Sequence, residues 1–82
     1  MRVRKLNRHL EKYVIRKNLA QKFEKQVKYF IENPSHPSLN LEILEPITLS
    51  HYSFRIDKRY RAIFIFVSSN EIEIVDINPH YE

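Results

Sequence analysis

Glycine, cysteine and tryptophan are all missing from these 82 residues. Without cysteine there is no disulfide, no thiolate metal site and no cysteine nucleophile. Without glycine no Walker loop, dinucleotide fingerprint or nucleophile elbow can be written. Turns fall instead to Asn, Asp, Ser and Pro, as at Asn33-Pro34 and Ser68-Ser69-Asn70. No apolar run approaches membrane-spanning length, and the basic N-terminal stretch lacks the apolar core of a signal peptide. A cytoplasmic location and no membrane partner are therefore expected. The four histidines (His9, His36, His51 and His80) show no metal-ligand spacing, so neither a metal nor another cofactor is expected.

What is present suits one small globular domain spanning residues 1–82, with 43% hydrophobic and 29% charged residues. A core of this size is modest, and a partner would add to its stability. The net charge of +4 is unevenly spread. Residues 1–28 hold ten Lys or Arg against Glu11 and Glu24, a net of +8, which leaves −4 in residues 29–82. A basic segment on a folded domain favours polyanions: RNA, DNA or an acidic protein. It also suits an ordinary solvated helix face.

Residues 2–6 read as a short first strand, and residues 7–32 as a helix in two pieces broken near Asn18. Leu10, Tyr13 and Val14 make the apolar stripe of the first piece; Phe23, Val27, Phe30 and Ile31 make that of the second. These aromatics read as core rather than as a stacking platform. Asn33-Pro34-Ser35-His36-Pro37 ends the helix. Leu41–Ile47, Tyr52–Asp57, Tyr60–Val67 and Glu71–Ile77 then read as strands, rich in Ile, Phe and Tyr. The fold class is α+β: a small twisted antiparallel sheet of four to five strands with two N-terminal helices on one face. In Tyr60–Val67 one face carries Tyr60, Ala62, Phe64 and Phe66, the other Arg61, Ile63, Ile65 and Val67. Both are largely apolar, so one is expected to meet the helices and the other a binding partner.

The hairpin from His51 to Phe66 is the most informative stretch. With its turn near Lys58, Arg55 faces Arg61 across the strands, and Arg59 lies beside them. Like charges in direct opposition weaken a sheet. An anionic ligand, most simply a phosphate, would compensate them; so would Asp57, with the arginines otherwise solvated. RNA brings its own nucleophile, the 2′-hydroxyl, and a metal-free protein can cleave it with a base, an acid and a cation around one phosphate. Glu42 or Glu45 offers the carboxylate, and His80 an acid or base near neutral pH. The arginines offer a phosphate fork, and Tyr81 a ring to stack on a base. Each has a plain structural use as well: Glu42 on the surface of an edge strand, Tyr81 closing the bottom of the core. His36 and His51 read as exposed bystanders.

Taken together, Asn33-Pro34-x-His36-Pro37-Ser38-Leu39, Tyr52-Ser53-Phe54-Arg55-Ile56, Tyr60-Arg61-Ala62-Ile63-Phe64 and Ile77-x-x-His80-Tyr81 resemble the RelE/ParE superfamily of bacterial type II toxins. The resemblance is strongest to the YoeB- and YafQ-like ribosome-dependent mRNA endonucleases. It implies cleavage of mRNA in the ribosomal A site. Glu42 would be the base, His80 the acid, Arg61 with Arg55 and Arg59 the phosphate-holding groups, and Tyr81 the residue that orients the nucleotide. The active-site lysines that RelE carries on the glutamate strand are missing, since Leu41, Ile43 and Leu44 surround Glu42. Glu45 would be the substitute base. The resemblance further implies an acidic antitoxin partner, seated on the second sheet face, and contact with operator DNA only through the antitoxin complex. Two other activities share the fold: ParE-like inhibition of DNA gyrase, and a non-toxic relative that only binds antitoxin or operator.

Overall fold

The computed structural model describes residues 1–79. In chain order these form β1 (Arg2–Val3), α1 (Arg8–Arg16), α2 (Ala20–Glu32), a 3-10 turn (Pro37–Leu39), β2 (Glu42–Ile43), a second 3-10 turn (Ile47–Leu49), β3 (Tyr52–Arg55), β4 (Tyr60–Ser68) and β5 (Glu71–Pro79). The strands make one sheet in the order β1-β5-β4-β3-β2. β2 to β5 pair antiparallel, while β1 runs parallel to β5, so the sheet is mixed. Ion pairs of Arg2 and Arg4 with Glu71, and of Arg4 with Glu73, reinforce that parallel edge.

The break between the helices shows how a chain without glycine turns. The Asn7 side chain caps α1 by accepting the Leu10 amide at 2.8 Å. At the other end Asn18 takes the left-handed conformation (φ 59°) in which glycine is commonest, and which Asn tolerates. The Asn18 amide then donates to the Ile15 carbonyl, and the Leu19 amide to Val14 at 2.7 Å. Leu19 and Val14 are both buried, which completes the Schellman pattern of a helix stop.

Both helices lie on the face of the sheet that carries Phe54, Tyr60, Ala62 and Phe64. Phe30 packs against Phe54 and Phe64 with ring centroids 5.8 and 5.4 Å apart, Phe23 stacks on Phe54, and Tyr13 of α1 meets Tyr60 edge-on. The aromatics are core, as expected. Ile31 is not: it is 46% exposed, while the polar Gln26 is buried in the stripe. At 3.6 residues per turn Ile31 stands about 80° round the helix from Phe23, outside the face that meets the sheet.

Two further expectations fail for local reasons. The strand expected over Leu41–Ile47 pairs only at Glu42 and Ile43. Pro46 has no amide to offer a ladder, and Ile47–Leu49 coils into a 3-10 turn. β5 runs past the expected end at Ile77 through Pro79, which stands opposite Tyr60. Within β5, Asp76 pairs with Ile63 and Ile74 with Phe64, so Val75 bulges out. That extra residue lets Ile74 and Ile77, three apart, both reach the core.

Candidate functional site

The site is built on the face of the β3–β4 hairpin opposite the helices. Arg55 and Arg61 are directly opposed in the register, as the alternation predicts. Glu42 pairs with Ser53 from the neighbouring edge strand, which brings the carboxylate and the guanidinium to the same patch. The Arg61 side chain is only 4% exposed, whereas that of Glu42 is 44% exposed.

Every nitrogen of the Arg61 fork but one has a fixed acceptor. Nε donates to Ser53 Oγ at 2.9 Å. Nη2 donates to the Asn40 carbonyl at 2.6 Å, reaches the Ser53 carbonyl at 3.4 Å, and lies 3.2 Å from Glu42 Oε1. Nη1 is buried with no hydrogen-bond partner among the described residues. Asn40 ends the first 3-10 turn in the left-handed region (φ 45°). An unmet buried donor costs on the order of 1–3 kcal/mol, and more on a charged group. Burial holds the guanidinium below its ordinary pKa, Glu42 pulls it back up, and Arg55 lowers it further. Arginine stays charged throughout.

Asp57 does not neutralise this cluster. Its Oδ1 accepts the Arg59 and Tyr60 amides, both at 2.8 Å, and its Oδ2 accepts from Lys22 Nζ at 3.2 Å. Asp57 is therefore the organiser of the turn. Burial alone would raise its carboxyl; the two amides and Lys22 outweigh that and hold it below the ordinary range. Arg59 sits exposed in the turn. Glu45 lies beyond β2, exposed, and makes no ion pair among the described residues, so the geometry selects Glu42 as Arg61's partner. His80 and Tyr81 lie outside the described residues.

Three supports were not read from the sequence. Ser53 is fully buried beneath Arg61. Gln26 donates its amide group to the Ser38 carbonyl at 3.1 Å and to the Arg55 carbonyl at 2.7 Å, tying α2 to the loop and to β3 at once. A polar residue inside the Phe23–Phe30 stripe was the available signal. His36 is no bystander: it stacks on Tyr29 with centroids 4.0 Å apart, and its Nδ1 accepts the Ser38 amide. The exposed apolar side chains concentrate on the β2 arm, at Leu41, Ile43, Ile47 and Leu49, and Phe66 lies beside Leu41 and Ile43.

No protein-family model matches the chain, and no curated protein does. Solved structures do. A YoeB/ParE toxin from Agrobacterium tumefaciens superposes with a TM-score of 0.71 at 16% identity, over 99% of this chain and 100% of that one. This chain has the YoeB/ParE toxin fold. The YoeB dimer from Staphylococcus aureus matches with a TM-score of 0.70 at 23% identity, over 98% and 94% of the two chains. A chain of the heterotetrameric YoeB–YefM toxin–antitoxin complex from the same organism matches with a TM-score of 0.67 at 24% identity, over 95% and 100%. The YoeB/ParE fold thus extends over both helices and the whole sheet.

Proposed function

We propose that this chain is the toxin of a type II toxin–antitoxin pair and that it cuts mRNA in the ribosomal A site. One observation carries the reading: Arg61, almost wholly buried, has an Nη1 with no partner among the described residues and lies 3.2 Å from a half-exposed carboxylate. A buried cation with an unmet donor is poorly suited to stability, which points to a functional use for it. Glu42 would accept the proton of the 2′-hydroxyl as its oxygen attacks phosphorus. Arg61, with Arg55 and Arg59, would hold the phosphate as charge develops on it. His80 would protonate the departing 5′-oxygen, and Tyr81 would stack the nucleotide. The bond broken is P–O5′, which leaves a 2′,3′-cyclic phosphate and a 5′-hydroxyl end. Ribosomal ordering of the strand supplies the alignment that so small a protein cannot impose alone.

An acidic antitoxin is the expected partner, since YoeB of S. aureus is solved in complex with YefM and the exposed apolar arm from Leu41 to Leu49 offers a seat. Operator DNA would be met only through that complex. The test is end-mapping of mRNA on programmed ribosomes with and without the purified protein. New 5′-hydroxyl ends inside A-site codons are expected. Intact mRNA at several codons would reject the nuclease and make DNA gyrase, the target of ParE-like toxins, the first alternative.

A further inference from the structure

Beside the Arg61 patch, between α2 and the β3–β4 turn, the surface folds into a concavity of about 410 Å³. Four cations line it, Lys22, Lys25, Arg55 and Lys58, with Asp57 as the one carboxylate among the lining residues. That carboxylate is fully engaged, by two backbone amides and by Lys22. Lys25, Arg55 and Lys58 have no ion-pair partner among the described residues, so the concavity carries a net charge of +3 on its lining. Like charges gathered on concave, low-dielectric walls repel one another and focus a field that draws anions in.

Arg55 connects this concavity to the candidate active site. It lines the concavity, stands opposite Arg61, and lowers Arg61's pKa through its charge. An isolated anion would satisfy one place or the other. A chain of regularly spaced phosphates satisfies both. We infer that the concavity formed by Lys22, Lys25, Arg55 and Lys58 is a second phosphate subsite, which holds the backbone phosphate next to the scissile one on the same single strand. This rests on the nuclease reading for the identity of the strand, and on the lysine concavity itself for the existence of the subsite.

The test uses the full chain and a 2′-deoxy hexanucleotide, which cannot be cut, followed by fluorescence anisotropy over a salt series. For single strands, log affinity falls against log salt with a slope of about −0.7 per phosphate neutralised. Lys25→Gln with Lys58→Gln is expected to weaken binding about tenfold and to flatten the slope by about 0.7. Lys12→Gln with Lys17→Gln removes the same charge from α1 and is expected to leave both quantities nearly unchanged. Equal losses in the two double variants, or none in either, overturn the subsite. Two competitors separate the sources of anion. Inorganic phosphate that matches the hexanucleotide in affinity at the lysines overturns the strand assignment in favour of free phosphate. A hexaglutamate peptide that binds there more tightly than the oligonucleotide assigns the concavity to an acidic protein segment instead. A-site cleavage, scored separately on the same variants, distinguishes the two failures. Cleavage that persists while the lysine variants bind normally removes the subsite alone; lysine-dependent binding with no cleavage removes the nuclease and keeps the subsite.

Discussion

On one face of the β3–β4 pair, Phe54, Ala62 and Phe64 are buried under Phe23 and Phe30, apolar against apolar. On the other face Ser53 and Arg61 are buried to nearly the same degree, yet there the packing encloses a cation, an ion pair and a donor with no partner among the described residues. The first face lowers the free energy of the fold with each side chain it hides. The second spends part of that gain on holding charge in a fixed direction. Burial alone therefore does not tell which residues stabilise this chain, and substitutions on the two faces should separate stability from activity.

The largest effect on stability is expected at Phe30. Phe30→Ala removes the ring joining α2 to Phe54 and Phe64 and should cost about 3–5 kcal/mol, a large share of a small domain's total, measured by chemical denaturation. Arg61→Met should do the reverse. A-site cleavage should fall by about a hundredfold or more, while the unfolding midpoint stays level or rises, because Glu42 is exposed enough to be resolvated once its partner is gone. A destabilisation by Arg61→Met as large as that of Phe30→Ala would erase the distinction between the faces. Glu42→Gln keeps the shape and removes the base; cleavage should drop by about a hundredfold with the melting temperature little changed, and full activity would return the base assignment to Glu45. The smallest effect lies at the turn. Asp57→Asn should destabilise by about 1–2 kcal/mol. Because the folded state holds the Asp57 carboxyl below its ordinary value of 3.8, its contribution is whole above that pH and is lost as pH falls through the lower folded value. Acid titration of stability should therefore be shallower in the variant.

Much of the frame was legible because it follows local rules. Asn18 marks the helix break, since it alone in that stretch tolerates a left-handed backbone at small cost. The opposition of Arg55 and Arg61 follows from strict alternation about a turn that Asp57 closes. What escaped is long-range or depends on a single residue out of phase. Nothing near Arg2 and Val3 announces a parallel partner some seventy residues on. The bulge at Val75 resets the alternation of β5 without a glycine to signal it. Glu42 was legible as a carboxylate near the arginines, but its ion pair with Arg61 depends on how Ser53 and the Asn40 carbonyl seat the guanidinium. Neither residue type suggests that role on its own.

Gln26 has a dynamic consequence. One side-chain amide group donates to both the Ser38 and the Arg55 carbonyls, so a fluctuation that lifts α2 at this point breaks both contacts together. The loop that supplies Asn40 and the strand that supplies Arg55 then cannot loosen independently. They open as one cooperative unit, and their backbone amides should exchange with solvent at a common rate that Gln26→Ala splits in two.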